Sequence, residues 1–175
     1  MATTYEAIAT VTVGSGGAAN IEFTSIPATY TDLMILISAR SNISAYRSTL
    51  SMQFNGDTAN NYSYTRLYAS GSSAGSDATA STSVIVCGEV VGASSTASTF
   101  GNNAIYIPNY ASSNRKSVST DAALETNDAS NNRLSLTAAL WTGTSAITSI
   151  KLFDFDTSKT FDQYSTATLY GIKNS

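Results

Sequence analysis

Alternation with a period of two recurs along this chain, and no segment carries the 3.6-residue apolar stripe of an amphipathic helix. In Leu50-Ser51-Met52-Gln53-Phe54 the apolar residues Leu50, Met52 and Phe54 fall on one face. Residues 133–140 repeat the pattern with Leu134, Leu136, Ala138 and Leu140. Residues 117–124 follow more loosely, with Val118, Thr120, Ala122 and Leu124 on a shared face. Such alternation means one buried side and one wet side, as in antiparallel sheets. Leu33-Met34-Ile35-Leu36-Ile37 is apolar on both faces and is expected to lie centrally in a sheet. Further strands are expected over residues 7–13, 20–23, 62–68, 83–91, 103–107, 147–155 and 165–172. Strands at this spacing predict an all-β fold, an antiparallel β-sandwich, with the jelly roll as its specific form.

Turn chemistry separates the runs. Asn55-Gly56-Asp57 permits a positive φ at Gly56. Gly14-Ser15-Gly16-Gly17 divides the first two strands, and residues 127–132 form a polar turn. Residues 70–82 and 92–101 are rich in Gly, Ser, Ala and Thr without a periodic face, so both read as loops. A single helical turn is conceivable around residues 43–47. No boundary or internal repeat divides the chain, so residues 1–175 are expected as one domain with a short arm at residues 1–5.

Composition removes most reaction classes. The chain has no histidine and one cysteine, Cys87. A histidine-based triad, a Cys-His pair and the Cys/His spacing of a zinc motif are therefore impossible, and an intrachain disulfide has no second thiol. Cys87 sits in an apolar run and is expected as a buried small hydrophobe. The one Ser-x-x-Lys match, Ser113 to Lys116, lacks its companion motifs. No phosphate-binding glycine loop is present. Charged residues make up 12% of the chain and the net charge is -3. Arg115-Lys116 is the longest basic run, too little for a phosphate backbone or an anionic membrane surface, so neither nucleic acid nor membrane is expected as a partner. The first residues hold no basic and apolar leader pattern, and no apolar run is long enough to span a bilayer. No enzyme activity and no cofactor are expected.

The remaining candidates are few. Asp154 and Asp156 share a face if their strand continues, and Asp162 follows closely. They are candidates for calcium or for a glycosidase-type carboxylate pair; the plainer expectation is a strand end whose acids face solvent beside Lys151 and Lys159. Tyrosine occurs 10 times and tryptophan once. Tyr5, Tyr62, Tyr64, Tyr68 and Trp141 are the partner-binding candidates, because an aromatic face with a polar tip suits protein or sugar recognition. Ordinary strand propensity accounts for the same tyrosines. Arg40, Arg47 and Arg66 are placed to pair with acids on neighbouring subunits, or simply to be solvated.

Several stretches together resemble small virion structural proteins of tailed bacteriophages. They are Ile26-Pro27-Ala28-Thr29-Tyr30-Thr31-Asp32-Leu33, Phe54-Asn55-Gly56-Asp57 with Asn61-Tyr62-Ser63, Ile107-Pro108-Asn109-Tyr110-Ala111, Ala146-Ile147-Thr148-Ser149-Ile150 and the run from Ser165 to Ile172. The resemblance implies a β-rich virion surface protein, made in the host cytoplasm, with no catalytic residues. It implies first a capsid decoration or cement protein that bridges major capsid subunits, as a homotrimer. The alternative it leaves open is a tail-fibre or receptor-binding module that recognises host surface glycans.

Overall fold

The structure is a computed structural model that describes residues 4–173. Among the described residues the elements are twelve strands, with no helix. In chain order they are β1 (Tyr5–Thr12), β2 (Asn20–Phe23), β3 (Asp32–Ala39), β4 (Arg47–Phe54), β5 (Tyr62–Ser70), β6 (Ser73–Thr82), β7 (Ile85–Val91), β8 (Gly101–Ile107), β9 (Lys116–Leu124), β10 (Arg133–Trp141), β11 (Ile150–Asp154) and β12 (Thr166–Ile172). They form an eight-stranded sheet, β1-β12-β3-β8-β9-β10-β5-β6, and a four-stranded sheet, β2-β11-β4-β7. Every strand pairing is antiparallel. The fold is the expected β-sandwich. Its eight-plus-four strand count lends no support to the finer jelly-roll expectation.

The core is where the two sheets overlap. Leu33, Ile35 and Ile37 of β3, Ile105 and Ile107 of β8 and Leu169 of β12 line the large sheet's inner face. Leu50, Met52 and Phe54 of β4, Ile21 and Phe23 of β2 and Ile150 and Leu152 of β11 belong to the same cluster from the small sheet. Cys87 is buried in it as expected, and burial pushes its thiol pKa up. The small sheet ends at β7, which packs over β8, β9, β10 and part of β5. At Gly88 (φ 130°) a Cβ would lie 2.4 Å from Ala122 Cβ, so only glycine lets β7 approach β9 this closely. Beyond β7, the β5–β6 hairpin projects as an uncovered wing: no residue of β6 is buried.

The Asn55-Gly56 turn has the expected left-handed backbone, with φ of 52° and 68°. Asn55 also staples the turn to the chain before β11, accepting from Thr148 N (2.8 Å) and Ser149 N (3.1 Å). Three expectations need correction. Residues 70–82 are not a loop: Gly71 turns the chain and β6 follows, paired with β5 from Ser73 to Thr82. With both faces wet, this strand has no apolar side for a periodicity reading to find. Residues 44–46 form bends without a helix, and Arg47 already opens β4. Of the expected arm, residues 1–3 lie outside the described residues, and Tyr5 is the first residue of β1, opposite Ile172.

Candidate docking face

β10 is turned against its own hydrophobic pattern. Ser135, Thr137, Ala139 and Trp141 are buried, while Leu134 and Leu136 point outward and are each 60% exposed. On the neighbouring strand Leu67 is 62% exposed and stands directly opposite Leu136. Leu134 lies between Ala69 and Ala123. The leucine face of residues 133–140 is thus the wet side.

Charged and aromatic residues on the other side hold this register. Glu89, buried on β7, accepts from Arg66 Nη1 (2.9 Å) and Arg133 Nε (3.1 Å) through one oxygen. Arg66 closes a fork on Asp77, at 2.6 and 3.2 Å. The Arg133 guanidinium lies 3.7 Å from the centre of the Tyr68 ring. At the far end of β10, Trp141 packs edge-on against Phe54 (5.6 Å between ring centres) and stacks on Tyr62 (6.4 Å). Its Nε1 donates to Asp57 Oδ2 at 2.8 Å. Slipping β10 by one residue would bury the leucines, but it would strip Glu89 of a partner and expel Trp141. Breaking a buried ion pair costs about 3–5 kcal/mol, comparable to the roughly 3–6 kcal/mol that burying two leucines can gain, and exposing Trp141 adds to the cost of the slip.

The result is an apolar patch with almost no charge. The row through Leu136 runs Leu67, Leu136, Asp121, Ala104, Leu36, Thr168, and the row through Leu134 runs Ala69, Leu134, Ala123, Asn102, Ser38, Thr166. Asp121 is the single ionisable group in either row.

The residues singled out from sequence fall elsewhere. Tyr62 and Trp141 are buried core residues and not partner contacts. The Tyr62 hydroxyl donates to Asp57 O (3.0 Å) and accepts from Phe54 N (3.0 Å), and burial pushes its pKa up to about 12. Tyr64 and Tyr68 are half-buried on the inner side of the wing. Tyr5 is 52% exposed on β1, the opposite edge of the sheet. The five aromatics do not form one surface.

The acidic candidates also separate. Asp154 is buried, not solvent-facing, and accepts from Ser41 Oγ (2.5 Å), Ser48 Oγ (2.6 Å) and Asp156 N (3.0 Å). Asp156 is exposed and caps Ser158, whose hydroxyl and amide hold its carboxyl below the usual range. Asp162 faces Arg40 Nε at 3.5 Å. No group of three or more His, Cys, Asp or Glu among the described residues is arranged to hold a metal. Arg40 and Arg66, read from sequence as solvated or as paired with neighbouring subunits, are instead engaged within the chain. Arg40 also donates to the carbonyls of Ser95 (3.2 Å), Thr96 (2.9 Å) and Thr99 (3.0 Å), which pins the loop before β8. Lys116 directs its ammonium at the carbonyls of Ser112 (2.8 Å) and Asn114, and burial lowers its pKa. No protein-family model matches the sequence, and no curated protein matches it significantly.

Proposed function

We propose that this protein is a non-catalytic structural component that decorates the head of a tailed bacteriophage and bridges major capsid subunits. The observation that carries the docking part of this reading is the uncovered Leu67, Leu134 and Leu136 patch, held outward by a buried ion-pair network. A contiguous apolar surface of this kind marks a binding site. The phage head as partner comes from the sequence resemblance. Binding needs no cofactor. The protein stabilises the shell by linkage, because it binds the assembled lattice and not its separated parts.

Co-sedimentation with purified expanded heads tests this. The wild-type protein pellets with heads and raises their melting temperature. The double variant L134S/L136S keeps its fold and loses at least about tenfold in affinity, as expected for two apolar contacts worth about 1.4 kcal/mol or more together. Equal binding by wild type and variant, or no binding by either, removes the reading.

A second reading has its own observation. Arg47, Arg66, Glu89, Arg133 and Phe155 line a cleft of about 390 Å³ beside the wing, and Phe155 is 61% exposed. An aromatic platform among hydrogen-bonding groups suits a sugar ring. Saturable glycan-array binding that Phe155→Ala abolishes would favour a receptor-binding module over a head protein.

A further inference from the structure

We infer that the free edge of β6 pairs antiparallel with β6 of a second copy of this chain, joining two eight-stranded sheets into one. Four strands end the two sheets, and three of them are guarded. β1 carries Glu6, paired with Lys173 at 3.4 Å, and a register shift between Ala7 and Ala9. β2 has only four residues, one of them Glu22. β7 is buried along its whole length, and Arg40 bridges to its last residue, Val91. Natural sheets blunt their edges with charges, bulges, short strands or covering segments, and these three edges use such means.

β6 uses few of them. It is ten residues long, contains neither Pro nor Lys, and is hydrogen-bonded on one side only. Its ladder with β5 is regular from Ser73 to Thr79, and the register shift comes only beyond that. Its one charge, Asp77, is gripped by Arg66 on the inner side. An unguarded, regular edge of seven residues, about 23 Å long, is a template for another strand.

The occupant is chosen by self-complementarity. With a dyad at Ser76, Ala74 stands opposite Ala78 and Gly75 opposite Asp77. No like charges meet directly. The two Asp77 carboxylates lie on a diagonal of about 7–8 Å, each held by its own Arg66. Small side chains at every paired position remove steric conflict. The uncovered wing also keeps each copy's small sheet, which stops at β7, away from the dyad. A two-fold contact of this type closes on itself, giving a dimer in place of an open array. The dyad is perpendicular to the sheet, so both leucine patches face the same way and engage a partner together.

Light scattering coupled to size exclusion tests the isolated protein, independently of any head. The expected mass is twice the 18.3 kDa of the chain. Ser76→Lys sets two ammonium groups across the dyad and yields the single-chain mass, with an unchanged circular dichroism spectrum because Ser76 is exposed. Thr12→Lys on the β1 edge leaves the double mass intact. Amide exchange over residues 73–79 is at least about tenfold slower in wild type than in Ser76→Lys. A single-chain or threefold mass for wild type, or a double mass persisting in Ser76→Lys, overturns the inference. Failure of head binding with the double mass intact would overturn the proposed function alone.

Discussion

Asp154 shows how a residue chosen for its chemistry becomes a structural one. Its carboxylate gathers two serine hydroxyls and a backbone amide at the end of β11, out of water. Asp154→Ala leaves all three donors unpaired and is expected to lower stability by about 2–3 kcal/mol, read as a lower urea midpoint at unchanged slope. Nothing local announces this role, because Ser41 and Ser48 lie more than a hundred positions away. Asp57 differs: its burial raises the pKa, but donation from Trp141, Asn61 and Ala59 outweighs that and holds the carboxyl low. Tyr62 sets an alkaline limit. An unfolded tyrosine titrates near about 10 and the folded Tyr62 near about 12. Its contribution is complete below pH 10 and is lost as pH rises toward 12, because unfolding then releases its proton. Tyr62→Phe is therefore expected to flatten the fall in stability across that window, in denaturation followed as a function of pH.

At the scale of the strand, β3, apolar on both faces, and β10, which alternates, place their large aliphatic residues with opposite outcomes. Ile35 of β3 is fully buried, whereas Leu136 of β10 is mostly exposed. Ile35→Ala is expected to cost about 2–5 kcal/mol, and Leu136→Ala to stay within about 0.5 kcal/mol, both measured by thermal or urea unfolding. Equal costs would mean that Leu136 is core. Period-two spacing in residues 133–141 was legible, but which side faces inward was not. The deciding partners, Glu89, Phe54 and Tyr62, come from other strands. One signal was available: Arg133 and Trp141 share a parity with Ser135 and Thr137, so the polar side also carried the residue most in need of burial. β6 was missed for a different reason. A strand that is wet on both faces has no amphipathic pattern, and its ladder comes from β5.

For the whole molecule the scarcity of charge sets the expected response to salt. With 12% charged residues and only Asp121 ionisable in the two leucine rows, the proposed attachment through that face would rest on apolar contact. Affinity for heads is expected to change by less than about threefold between about 0.05 and 0.5 M salt in sedimentation assays, where a phosphate-binding protein would lose orders of magnitude. What the chain by itself determined is the class of fold: alternation, β-branched and aromatic runs and glycine- or asparagine-bearing turns are local properties, and they specify antiparallel strands wherever those strands end up. The lack of histidine likewise set its chemical limits. Only the tertiary structure decided which side of each strand is core, how far the small sheet reaches and which edge stays free. Those depend on the pairing of Glu89 with Arg66 and Arg133, and on Trp141 finding Phe54 and Tyr62, contacts between distant segments that exist only once the sheets have packed.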